Sequence, residues 1–268
     1  MQCDGEEAGD GSVIMSWKND QVTSGETAKI LELARDALGV EGDFVELGCY
    51  KGDTSLLLAE ILQRDAMLRQ KVRCSVGVRQ STPPSATPSS SPSIHAEAFR
   101  KSCEKAVEKS VDTPAKKLGK TGGNDVGEGI SGNNRKRLWI YDSFEGLPEK
   151  SEVDESVLGL AFRGGELAVT KREVKERFLR AGLPVPVIKK GWFSDLSEED
   201  LPERIAFAFL DGDFYESIKD SLRLVTPRMI DGGVIVVHDY TNPALPGVRK
   251  AVDEWGDLDN RGFRLVCL

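Results

Sequence analysis

Positive charge is in short supply in this sequence: Lys and Arg number 36 against 44 Asp and Glu in 268 residues, a net charge of −8. A protein that tracks a phosphate backbone needs the opposite sign, so no nucleic-acid partner is expected. Long apolar runs are also missing. Runs such as Val234 to Val237 and Leu56 to Ala59 fall far short of the ~20 residues that cross a bilayer, so no membrane partner is expected either. The acidic start MQCDGEEAGDGSV has no basic stretch followed by an apolar one, which argues against a secretory leader. The five cysteines, at positions 3, 49, 74, 103 and 267, include no Cys-x-x-Cys pair. They read as free thiols of a reducing compartment, and the expected location is cytoplasmic. No convincing repeat is present.

Composition divides what remains. Between residues 75 and 136, Gly, Ser, Thr and Pro fill 26 of 62 positions, and Ser81 to Ser93 is Ser, Thr or Pro throughout except Ala86. Such a segment cannot bury enough apolar surface to offset its folding entropy and is expected to be a disordered surface insertion, with one short helix over Ile94 to Ser110. The expected organisation is a flexible tail over 1–22 and one domain over 23–268, interrupted by 75–136.

Around the insertion, strand and helix signals alternate. Thr23 with Glu26 three residues later is a capping box, and the helix it opens runs to Gly39. Asp43 to Leu47 is a strand stopped by Gly48, with a helix over Ser55 to Leu68. Leu138 to Tyr141 is a strand ending in Asp142, Thr170 to Ala181 a helix, and Val185 to Lys189 a strand. Ile205 to Leu210 is a strand ending in Asp211, Ser217 to Val225 a helix, and Gly233 to Val237 a strand ending in His238-Asp239. The strands are apolar without alternation, as in a parallel sheet covered on both faces. The expected fold is therefore α/β, a doubly wound Rossmann-like sheet, mostly parallel, with ligands beyond the carboxyl ends of its strands.

Three of those ends carry chemistry. The first reads Glu46-Leu-Gly48-Cys-Tyr50-Lys-Gly52. Its glycines let a ligand approach the main chain at a helix N-terminus, yet Tyr50 stands where a dinucleotide fold needs a second glycine, so NAD is disfavoured. An acid ahead of the glycines suits a ligand with positive groups, such as the ammonium and sulfonium of S-adenosylmethionine; a plain turn with Asp53 capping the helix is the other reading. Asp142 can accept hydrogen bonds from vicinal ribose hydroxyls, or serve with Ser143 as a turn residue. In Asp211-Gly-Asp213, two carboxylates follow a buried strand, and Asp239 ends its neighbour. Hard oxygen ligands so gathered suit Mg²⁺, Mn²⁺ or Ca²⁺, although Asp213 also suits a helix cap and His238 a satisfied polar group.

Taken together, FVELGCYKGDTS, YDSFEGLP, GWFSDL, LDGDFYES, GGVIVVHDY and PGVRKAVDEW resemble the macrocin O-methyltransferase family of class I S-adenosylmethionine enzymes, which methylate hydroxyls. The resemblance implies that Glu46, Gly48 and Gly52 line the methionine end of the cofactor, that Asp142 holds the ribose and that Gly191, Trp192 and Phe193 lie by the adenine, with Tyr50, Ser143 and Asp211 completing the lining. It implies a metal, Mg²⁺ or Mn²⁺, at Asp211 and Asp239, and Asp213 as general base. Metal-dependent members carry two adjacent acids where this chain has His238-Asp239, so His238 enters the implied ligand set in place of an acid. The family's long N-terminal segment is represented by about twenty residues, and the chain stops at Phe263 to Leu268, which reads as a sixth strand without the family's antiparallel seventh. A truncated chain is one reading of that end.

The expected function is O-methylation of a small-molecule hydroxyl, for instance on a sugar or glycosylated metabolite. The rivals are a methyltransferase of another acceptor class (carboxylate, amine or catechol) and a degenerate, non-catalytic binding protein. A second copy of the chain is the other partner left open.

Overall fold

The computed structural model describes residues 21–77, 135–160, 162–256 and 262–268. Most of the expected insertion and its short helix over 94–110, with all but the end of the expected tail, lie outside the described residues. By contact the chain forms two units, and the architecture below belongs to the one made of Met1–Arg73 and Arg135–Leu268.

Helix α1 (Ser24–Asp36) opens on the Thr23–Glu26 capping box read from the sequence. Strand β1 (Asp43–Leu47) follows, then helix α2 (Asp53–Gly77), strand β2 (Leu138–Asp142), helix α3 (Lys171–Arg180) and strand β3 (Val187–Lys190). The second half holds β4 (Ile205–Leu210), α4 (Tyr215–Val225), β5 (Met229–Val237), α5 (Pro246–Trp255) and β6 (Arg264–Cys267). The described strands form one six-stranded sheet in the order β3-β2-β1-β4-β5-β6, and every ladder is parallel.

The lack of alternation in the strands has its cause in this topology. All six residues of β4 are buried, because β1 and β5 flank it in the sheet and helices cover both faces. One face packs against α1, α2 and α3 through Ile30, Leu56, Leu58 and Phe178. The other packs against α4 and α5 through Leu222, Val248 and Ala251. Phe44 and Phe207 meet across the centre with ring centroids 5.1 Å apart. Each such side chain contributes roughly 1.5–3 kcal/mol by leaving water.

The register then builds the site. Leu47 pairs with Tyr141 and with Leu210, Leu210 with Val237, and Asp142 with Lys190. Gly48, Ser143, Gly191, Asp211 and His238 consequently leave the sheet along one rim. The strand order reverses between β1 and β4, which is where open α/β sheets leave a crevice.

Several boundaries differ from the sequence reading. Helix α2 continues nine residues past Leu68 and takes in positions 75–77 of the expected insertion. Strand β5 starts at Met229, not Gly233, because its first residues pair with β4 before a register irregularity near Ile205. Val22, assigned to the tail, is buried and packs in the core. Asp154, unremarked in the sequence, is buried and accepts the Tyr215 N–H at 2.8 Å, placing a negative charge at the N-terminus of α4, where the helix dipole favours it.

Candidate active site

Backbone geometry at the first strand end is demanding. Gly48 has φ +88°, and a Cβ there would stand 1.9 Å from the Asp211 carbonyl oxygen, so only glycine lets the β1 turn lie against the loop after β4. Asp211 N–H donates to Leu47 O and holds the contact, while Gly48 N–H donates to Tyr141 O of β2, each at 2.9 Å. Tyr50 also occupies the left-handed region, at φ +44°. Its amide and that of Cys49 both donate to Asp142 Oδ2, at 3.3 and 2.9 Å, while Oδ1 accepts from Phe144 N–H at 2.7 Å. Asp142 thus ties the β1 turn to the end of β2. On the outer side, Arg177 of α3 pairs with Asp53 at the start of α2 and donates to the Lys51 carbonyl at 2.6 Å.

Glu46 is buried under this turn and accepts a short hydrogen bond from the Ser55 hydroxyl. Burial pushes its carboxyl well above the usual range; the Ser55 bond pulls the other way, and Asp211 and Asp142 add to the rise. An acid raised in this way is stabilising below its ordinary pKa and loses that contribution as pH rises through the folded value. A charge on it is a cost that a cation bound in the crevice would offset.

On the other side, Asp213 has φ +60°, and its carboxylate takes no hydrogen bond or ion pair among the described residues. Burial, then Asp211 and Asp239, raise it well above the carboxylate range. Asp211 and Asp239 are held differently. His238, buried at the end of β5, donates from Nδ1 to Asp239 at 2.7 Å and to Asp211 at 3.1 Å. Asp239, also left-handed at φ +60°, accepts from Asn242 Nδ2 at 2.8 Å on its other oxygen. Burial opposes a charge on His238, but Asp211 and Asp239 outweigh it and carry the imidazole up to about 11. The donor atoms of Asp211, His238 and Asp239 lie within 4.8 Å of one another.

These groups face one cleft that opens to solvent. Glu46, Gly48, Tyr50, Asp142, Ser143, Gly191, Trp192, Phe193, Asp211, Asp213, His238 and Asp239 all line it. Gly52 does not; at φ +79° it turns the chain into α2. The sequence reading missed Asn242, Phe162 and Leu167, which also line the cleft. Asn242 was findable as an amide three residues after Asp239, whereas Phe162 and Leu167 sit in a connection without periodicity.

The family described as Macrocin-O-methyltransferase (TylF) matches residues 128–261, half of the chain. The chain belongs to the macrocin O-methyltransferase family. The matched stretch of this macrocin O-methyltransferase family member holds DSFEGLP, DGDFYES and the HDY strand end, while the β1 turn precedes it. A 129-residue stretch is 36% identical to 8-demethyl-8-(2,3-dimethoxy-alpha-L-rhamnosyl)-tetracenomycin-C 4'-O-methyltransferase of Streptomyces olivaceus, covering 46% of this chain and 48% of that protein. Another, of 125 residues, is 32% identical to demethyldecarbamoylnovobiocin O-methyltransferase of Streptomyces niveus, covering 45% and 47%. The chain thus spans about half the length of the curated relatives it matches. Among solved structures, the O-methyltransferase NovP superposes with a TM-score of 0.52 at 23% identity, over 85% of this chain and 69% of that one, which supports the fold. None of the described helices is long and apolar enough to cross a membrane.

Proposed function

We propose that this protein transfers a methyl group from S-adenosylmethionine to a hydroxyl of a small molecule, a sugar or glycosylated metabolite being the class suggested by the relatives' names. The observation that carries the reading is Asp213: an unpaired, raised carboxylate facing a cleft whose other arm presents Glu46 and Asp142. The residues fit the cofactor. Glu46 is a buried carboxyl that a cationic ligand would relieve, and Gly48 lines the cleft beside it. The Cys49 and Tyr50 amides, which a pyrophosphate would need, are taken by Asp142, which disfavours NAD. A nucleic-acid acceptor is disfavoured by the carboxylates along the cleft.

When bound, the cofactor supplies an electrophilic methyl on a sulfonium. The chain's own part is to hold the acceptor oxygen ~3–3.5 Å from that carbon in line with the breaking bond and to take its proton at Asp213 Oδ. Trp192 and Phe193 offer apolar surface for the adenine, and the remaining lone pair of Asp142 is available to a ribose hydroxyl. For the divalent ion implied by the resemblance, Asp211 and Asp239 would be the donors, joined by His238 Nδ1 once the ion displaces the proton it shares with them. Such an ion, Mg²⁺ or Mn²⁺, would lower the hydroxyl's pKa and orient it.

Two measurements test this reading. Calorimetry should show S-adenosylmethionine binding and NAD not binding. Asp142→Ala should weaken the cofactor at least tenfold, since it removes roughly 1.5–3 kcal/mol of charged hydrogen bonding and slackens the β1 turn. Unchanged affinity would remove Asp142 from the account. For the metal, chelator should silence turnover and Mg²⁺ or Mn²⁺ restore it, while His238→Asp should tighten Mg²⁺ binding, because a carboxylate suits that ion better than imidazole. Full activity in chelator would eliminate the ion.

A further inference from the structure

Glu26 has a neighbour beyond the helix it caps. Its Oε2 accepts from the Thr23 N–H at 2.9 Å and from the Thr23 hydroxyl at 2.7 Å, which fixes the carboxylate at the start of α1. The same oxygen stands 3.7 Å from His238 Nε2. That nitrogen is buried without a hydrogen bond of its own, and it is the ring atom opposite the one that donates to Asp211 and Asp239. The imidazole therefore lies between a carboxylate on α1 and two carboxylates at the ends of β4 and β5.

We infer that Glu26 is a positioning residue, which sets the orientation of His238 and through it the placement of Asp211 and Asp239 beside Asp213. An imidazole flipped about its χ2 fills nearly the same space, so packing alone distinguishes the two orientations weakly. The Phe209 ring, edge-on at 6.1 Å, would accept either one. A carboxylate facing one nitrogen favours N–H there and leaves the other nitrogen for its partners, as acids behind functional histidines do. Glu26 stands on the Nε2 side, so Nδ1 faces the acid pair whether it carries a proton or a ligand. The sequence reading gave Glu26 only the cap, since its spacing from Thr23 accounts for it completely.

The inference deepens the methyl-transfer reading, but its decisive test does not depend on turnover. The chain has two histidines, His95 and His238, so ring ¹⁵N signals of the full-length protein can be assigned with His95→Gln. Glu26→Gln keeps an oxygen for the capping box and removes the charge, Glu26→Ala removes both, and Thr23→Ala takes away the hydroxyl while the N–H of residue 23 still holds the Glu26 carboxylate. Both Glu26 variants should move the His238 ring signals, and Thr23→Ala should lower the melting temperature with those signals in place. In the methyl-transfer assay, Glu26→Gln should lower kcat about tenfold with the cofactor KM unchanged, the scale found for residues behind a functional histidine. His238 signals unmoved by both Glu26 variants, or moved as far by Thr23→Ala, would overturn the inference. Moved signals with no methyl transfer even in wild type would uphold it and count against the proposed function.

Discussion

Asp213→Asn is expected to leave S-adenosylmethionine affinity near wild type and to lower turnover by ~10² to 10⁴, the usual contribution of a general base. The amide keeps the size of the side chain, so the left-handed backbone at φ +60° and the DGD loop should persist; asparagine tolerates that conformation well. What is lost is an acceptor for the hydroxyl proton. The carboxylate is suited to that task because burial and the neighbouring acids hold it well above its ordinary range, which brings its basicity closer to that of the group it serves. Steady-state kinetics with calorimetry on the same samples checks both halves. A variant as fast as wild type would shift catalysis to simple proximity.

Gly48→Ala is the largest expected structural effect. The added methyl would stand 1.9 Å from the Asp211 carbonyl oxygen at φ +88°, and neither neighbour can yield, because both belong to hydrogen-bonded backbone at the centre of the sheet. The left-handed conformation alone costs an L-residue ~1–2 kcal/mol, and with the clash the loss should reach at least about 4 kcal/mol. Thermal unfolding should show a Tm lower by roughly 10 °C or more, or the variant should fail to accumulate in soluble form. Because β1 and the DGD loop meet here, any folded remainder should also lose cofactor binding. A stable variant with normal affinity would mean that the two loops separate without consequence.

The site was legible in the sequence where one residue answers to one demand. Uninterrupted apolar runs such as Ile205 to Leu210 could only be covered parallel strands, and once their carboxyl ends align, Glu46, Asp142, Asp211, Asp213 and Asp239 must gather. Residues serving several demands show only some of them in the sequence. Glu26 reads as a cap, and His238 as a departure from paired acids or a satisfied polar group, while it bonds both neighbouring acids. Asp142 reads as a ribose ligand or a turn residue; the turn bond to Phe144 is present, and the bonds to the Cys49 and Tyr50 amides have no local signal. Past Leu68 the sequence offers no buried apolar period to extend α2, and Leu68 and Val72 are exposed. The connection carrying Phe162 and Leu167 has neither helical nor strand period, and tertiary packing alone brings it to the cleft.

Whether this cleft moves a methyl group to oxygen is decided by supplying the protein with methyl-labelled S-adenosylmethionine and a small-metabolite extract and determining which bond carries the label. Label is expected in an ether at a former hydroxyl, dependent on Asp213. Label in an ester or an amine, or cofactor bound and returned unconsumed, would contradict it.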